Sequence, residues 1–306
     1  MLVVQGIVLG CALGLLMPLS TLALASHWNN LVPLVSMEAT GFAFIGAAVY
    51  VTIAAVALQV PAWEAMCFAS GGVTIGTLGA AAFLTNKCRG HARHSLQYSS
   101  KTLQFTQLPS LLFLAGYVAI LFGVFSFPVY IVFLCTNSTG SAWPLQPSSM
   151  LIVSLACGVV SAPWSASKRI RDSVGPVNAF VIAATVGGVC FYNPGEMPFT
   201  TVSWPVSIIY GLCLGVLLTV HLKAISVFHW MSVPVPYHSD MAIRMAVVAA
   251  VGGIAAAGGI LVTAILIEEG GFDLGMMVPG TSMLAGGVLV GAARYLRGYK
   301  QFFMAL

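Results

Sequence analysis

Nine long apolar runs, separated by short polar breaks, constrain this chain more than any other feature. They lie near 2–25, 34–60, 65–86, 108–135, 150–166, 177–192, 204–228, 241–267 and 274–297. A membrane helix needs about 20 mainly apolar residues, because each advances about 1.5 Å through a hydrocarbon core about 30 Å thick. The fifth and sixth runs are shorter and flanked by proline, so they read as short spans, half-spans or a re-entrant pair. The polar remainder is too small to clothe a soluble domain. Charged residues make up 7% of the chain, against roughly 25% in soluble domains, and the mean hydropathy is +0.97. The expected fold is all-α: a polytopic transmembrane helical bundle of about nine spans, with eight to eleven compatible with the runs. Residues 1–306 then form one membrane domain with short loops, including a basic loop at 87–107 and a short tail at 298–306. Met1 opens no positive n-region of the secretory type, so the first run is expected to be a retained helix.

The few cations define an expected orientation. Lys87, Arg89, Arg93 and Lys101 fall between runs three and four, and Lys168, Arg169 and Arg171 between five and six. Lys223 and Arg244 flank the gap between seven and eight, and Arg294, Arg297 and Lys300 come at or after the end of nine. With nine spans all 12 lie on one face, while Glu64, Glu196, Glu268, Glu269 and Asp273 lie on the other. Cationic loops favour the cytoplasm, so the N-terminus is expected to be exoplasmic, and the loop 87–107 and tail 298–306 cytoplasmic. Asn137-Ser-Thr then falls in an exoplasmic loop, where Asn137 is a candidate glycosylation site.

Lipid tails are as apolar as leucine, so membrane helices associate through close backbone approach and hydrogen bonds. Four small-residue ridges have the required spacing: Gly10/Gly14, Gly72/Gly76, Gly211/Gly215 and Gly287/Gly291. Pro18, Pro128, Pro163 and Pro279 fall inside spans, where proline removes a backbone hydrogen bond and kinks the helix.

Chemistry-bearing groups are scarce. Glu38 is the one acidic residue expected well inside a span; a buried carboxylate there needs a partner, a cavity or a proton. Arg244, one turn into the eighth run, is read as a headgroup anchor or as a cavity residue paired with Glu38 or an anion. His221 and Lys223 are read as an interfacial pair reaching outward from the membrane. The seven cysteines have no C-x-x-C spacing and read as buried small side chains. Metal-ligand motifs, phosphate-binding loops and nucleophile elbows do not occur. The expectation is no enzyme, no cofactor, no metal and no nucleic-acid partner; the lipid bilayer and other membrane proteins are the expected partners.

Gly14-Leu-Leu-Met-Pro18-Leu-Ser20, followed by Ala25-Ser-His-Trp28, resembles the first-helix signature G-x-L-L-P-W-N of equilibrative nucleoside transporters. Leu19 stands where that family has Trp, and Ser20 where it has Asn. Phe122-Gly123, Phe127-Pro128-Val-Tyr130 and Gly140 resemble its fifth helix. The stretch from Gly286 to Tyr295 with its basic tail, and more loosely that from Leu155 to Arg169, are similar to herpesvirus multi-span envelope proteins distantly related to those transporters. The family's D-x-x-G-R motif has no counterpart here, and its cytoplasmic start and eleven or so spans differ from the orientation above. The resemblance implies a transporter-like scaffold, with Pro18, Ser20, Glu38 and Arg244 as candidates for a substrate pathway. Two functions follow as expectations: a viral envelope or accessory membrane protein acting in assembly, trafficking or spread, or a facilitative carrier of a small polar solute such as a nucleoside. A virion envelope or host-cell membrane would be the location of the first.

Overall fold

The computed structural model describes residues 41, 43–49, 51, 52, 72, 75, 76, 79, 108–130, 146–167, 173–192, 199–230 and 238–296. Five main helices order this part: α1 (Leu108–Val124), α2 (Gln146–Ala166), α3 (Pro176–Val189), α4 (Phe199–Trp230) and α5 (His238–Leu296). A 3-10 turn, Cys190–Tyr192, ends α3, and no strand occurs among the described residues.

The helix starts are written locally. Pro109, Pro147 and Pro176 stand in the first turns of α1, α2 and α3, where a missing N–H costs nothing and a fixed φ favours the helix. Gly175 leads into α3 at φ 78°, ψ 151°, a backbone region essentially reserved for glycine. Asn178 then turns its amide back to Val174 O at 2.8 Å, closing the first turn.

α5 is two helices. Gly271 lies at φ 83°, ψ 170° and separates an arm at 238–270 (α5a) from one at 272–296 (α5b). The chain reverses there: a Cβ on Gly275 would overlap Ile267, which a straight helix would hold eight residues, or about 12 Å, away. Both arms clasp α1. Gly252 and Gly259 on α5a meet Tyr117, Leu121 and Phe122, in the same order along both helices; on α5b Pro279 and Met283 meet Gly123 and Gly286 meets Ile120 and Gly116, the opposite order. The approach is close on both arms: a Cβ on Gly259 would overlap Phe122 O, one on Gly123 would overlap Pro279 O, and one on Gly286 would lie 2.6 Å from Gly116 O.

On its other flank α5b packs on α3, α3 on α4, and α4 on α2. Gly211 sits over the backbone of Ser154, and Gly215 over Gly158 and Ser161, so α2 and α4 run parallel. Phe44, from the helical residues 43–49, lies against Gly158. The buried core joins Phe44, Tyr117, Phe127, Phe180, Phe191, Tyr210 and Met283.

Among the described residues, three helices are long and apolar enough to cross a membrane: Leu108–Tyr130, Trp204–Ile225 and Val247–Leu296, the last containing the Gly271 reversal. Ser149–Ser165 and Pro176–Tyr192 are shorter apolar helices, in place of the fifth and sixth runs. A chain with such helices is membrane-embedded. The charges whose side chains are described separate by end. Glu268, Glu269 and Asp273 are exposed around the Gly271 turn, whereas Arg294 closes α5b. From Phe272 to Arg294 is about 33 Å of helix, matching a hydrocarbon core of about 30 Å. Lys223 lies with Arg294 at the far end, because α4 passes Phe127 and Phe191 at Tyr210 and runs a further 13 residues away from the acidic turn, about 20 Å.

Candidate functional site

Buried hydrogen-bonding side chains gather at a junction where α1 breaks. The break follows from one residue. Pro128 has no N–H, so the carbonyl four residues earlier, Val124 O, loses its helical donor. Phe125 leaves the helix as a turn and 126–130 resume it, with Val129 N–H bonding Phe125 O at a long 3.4 Å. The orphaned carbonyl is not left bare. The hydroxyl of Tyr210, from α4, donates to Val124 O.

Aromatic packing holds that hydroxyl in place. Tyr210 stacks on Phe127 with ring centroids 4.2 Å apart, and Phe191 meets both rings edge-on at 5.6 Å. Such offset and edge-to-face pairs add about 0.5–1.5 kcal/mol each beyond their burial. On the opposite flank Ser126 Oγ and Thr263 Oγ1 lie 3.0 Å apart, buried, and Tyr130 donates to Ile260 O at 2.8 Å. Ser282 donates to Ala119 O at 2.8 Å. Pro128 thus marks a join of α1, α4 and α5.

The junction's chemistry is limited to hydrogen bonding. No group of three His, Cys, Asp or Glu side chains that would hold a metal occurs among the described residues. The described carboxylates sit at the Gly271 turn, beginning with Glu268 five residues beyond Thr263 on α5a, and take no part in the junction's hydrogen bonds described above. The junction's hydroxyls are directed at protein oxygens, so it offers a solute no evident binding group. Among the described residues, two other buried hydroxyls have no hydrogen-bond partner, Tyr117 and Ser154. Tyr117 lies between Phe113 and Phe180, each ring 6.1 Å away, under Gly252.

Of the candidate pathway residues, Pro18, Ser20 and Glu38 lie outside the described residues, as do Gly10, Gly14, Asn137, the loop 87–107 and the tail 298–306. Arg244 is helical in α5a, with its side chain undescribed. A Cβ would find nothing within 4 Å at Gly72, Gly76 and Gly291, while at Gly287 it would meet Thr185 Oγ1 at 2.9 Å. His221 departs from the expected outward-reaching pair. It is 8% exposed, with Nδ1 2.6 Å from Leu218 O: a ring that donates to its own helix needs no water. Lys223, two residues on, is half-buried.

Sequence reasoning placed the Pro128 kink but missed Tyr210, 86 residues from its partner. The orphaned carbonyl was the available signal. A second feature it missed is an apolar groove of about 600 Å³ between α2, α3 and α4, lined by Val160, Trp164, Ile182, Val186, Leu212 and Val216 among others.

Compared with known proteins, the chain matches no family model and no curated protein.

Proposed function

We propose that this chain is a multi-pass membrane protein of about nine spans, with its cationic face in the cytoplasm, acting as a helical scaffold. In this reading it is a viral envelope or accessory membrane protein that works through other membrane proteins, in assembly, trafficking or spread. One observation carries the scaffold reading: the Pro128 junction is closed by aromatic rings, with its hydroxyls bonded to protein oxygens. Carriers of polar solutes keep ionisable or polar groups in their pathway, whereas the described buried hydroxyls, Tyr117 and Ser154 apart, bond protein oxygens of a neighbouring helix or of their own. The resemblance to herpesvirus envelope proteins supplies the viral element of the proposal.

A second reading, facilitative transport of a small polar solute such as a nucleoside, is favoured by the break in α1 at the Gly123…Phe127-Pro128-Val-Tyr130 stretch. Broken helices at membrane depth are tolerated where they face protein or a cavity. The discriminating experiment is uptake of labelled nucleosides by vesicles containing the purified chain. The expected result is uptake equal to that of empty vesicles. Uptake above that level, abolished by Glu38→Gln, would establish the carrier and place Glu38 in its pathway.

Topology is checked separately with glycosylation tags. A tag within 193–198 is expected to be modified and one within 87–107 to remain bare. The reverse pattern would invert the proposed orientation, and modification at both positions would overturn the span count.

A further inference from the structure

The groove between α2, α3 and α4 has a composition and a position that specify an occupant. Its lining is almost wholly aliphatic, apart from Trp164, Cys213 and Ser161. Ser161 makes no demand on a ligand, since its hydroxyl donates to Gly158 O at 3.1 Å. The lining therefore presents almost no polar surface, and a groove of about 600 Å³ lies within the range of pockets that enclose small molecules. Along α3 the lining runs from Ala179 to Val186, about 10 Å of helix, and Val174 extends it towards the cationic end.

The register of α2 on α4 fixes what lies at that end. Gly211 stands over Ser154 and Gly215 over Gly158, an offset that puts Trp164 level with His221. Lys223 follows about 3 Å further along the axis. Leu212, Val216 and Lys223 share one stripe of α4, within about 40° around the helix. Trp164 is 66% exposed, and tryptophan favours the headgroup level of a membrane. The aliphatic groove thus opens, at the end that carries the described cations, beside an indole and an ammonium.

We infer that this groove binds an anionic phospholipid, one acyl chain lying along Val160, Ile182, Val186 and Val216 and the phosphate meeting Lys223 beside Trp164. Basic sites between membrane helices select anionic headgroups in this way. The inference rests on the membrane reading above and adds to it a lipid class and a binding site.

The test is native mass spectrometry of the full chain in neutral detergent, after exposure to equal amounts of phosphatidylglycerol and phosphatidylcholine with identical acyl chains. The wild-type chain is expected to retain phosphatidylglycerol in preference. Lys223→Gln should lower that preference about fivefold, Lys223→Arg should keep it, and Val186→Trp, which fills the groove from an exposed position, should release both lipids alike. Equal retention of the two lipids would overturn the inference, as would an unchanged preference in Lys223→Gln. A two-chain species lost in Val186→Trp would also overturn it, making a second copy the occupant. A chain that stays monodisperse without detergent would overturn the membrane reading itself, whereas one that needs detergent yet shows no lipid preference would overturn only the groove assignment.

Discussion

Gly211→Leu is expected to prevent α4 from docking on α2 and to give little or no monodisperse protein. A Cβ at this position would overlap the carbonyl oxygen of Ser154 and lie 2.8 Å from its Cα. Overpacking against movable side chains costs about 1–3 kcal/mol. Here the obstacle is a neighbouring helix backbone, which can yield only by moving the helix. Gly291→Leu is the matched control, because it adds the same side chain at a helical glycine with nothing within 4 Å of its Cβ. Yield and thermal unfolding in detergent should separate the two variants by more than the upper end of that range. Equal behaviour would show that the α2–α4 approach contributes little to the folded state.

That comparison also marks how far the sequence could be read. Both glycines belong to ridges of the same spacing, and only the structure tells a backbone contact from an open face. Spacing reports that a helix is able to approach closely; it does not say which helix arrives. Helix existence was easier. The described parts of the runs at 108–135 and 204–228 are helical, as α1 with its continuation at 126–130 and as α4, because length and apolarity alone are enough to make a helix in lipid. The gap between the last two runs was legible as a break, since Glu268, Glu269 and Asp273 interrupt the apolar pattern. Its form, one glycine at φ 83° reversing the chain so that both arms grip α1, was not, because a turn and a longer loop leave the same polar signal. His221 misled for a related reason: a histidine near a lysine suggests an interface, yet a buried ring bonded to its own helix has the same local sequence.

The site was harder to foresee because its parts come from distant segments. Pro128 announced a bend. The residue that makes the bend tolerable, Tyr210, stands in the middle of an apolar run with nothing nearby to single it out. Aromatic residues in such runs are ordinary core residues, and the hydroxyl acquires its meaning only when the orphaned carbonyl is brought beside it. The groove had no sequence signal at all, since valines and isoleucines facing lipid and those lining a crevice read alike.

The Pro128–Tyr210 pair yields the second large effect. Tyr210→Phe keeps the ring, and with it the stacking on Phe127 and the edge contact with Phe191, but strips the donor from Val124 O. An unsatisfied buried carbonyl costs about 1–3 kcal/mol, whereas an ordinary interhelical hydrogen bond in a membrane protein averages about 0.6 kcal/mol by double-mutant cycle. The loss here is expected to exceed that average, because the carbonyl has no alternative partner within its own helix. Pro128→Ala supplies one. An alanine amide at position 128 is the normal helical donor to Val124 O, so in that background Tyr210→Phe should cost much less. A cycle of the two single variants and the double variant, measured by reversible unfolding in detergent, should give a coupling of at least about 1 kcal/mol. If the two costs simply add, the tyrosine hydroxyl is not serving the carbonyl that proline sets free, and the junction is held by its aromatic rings alone.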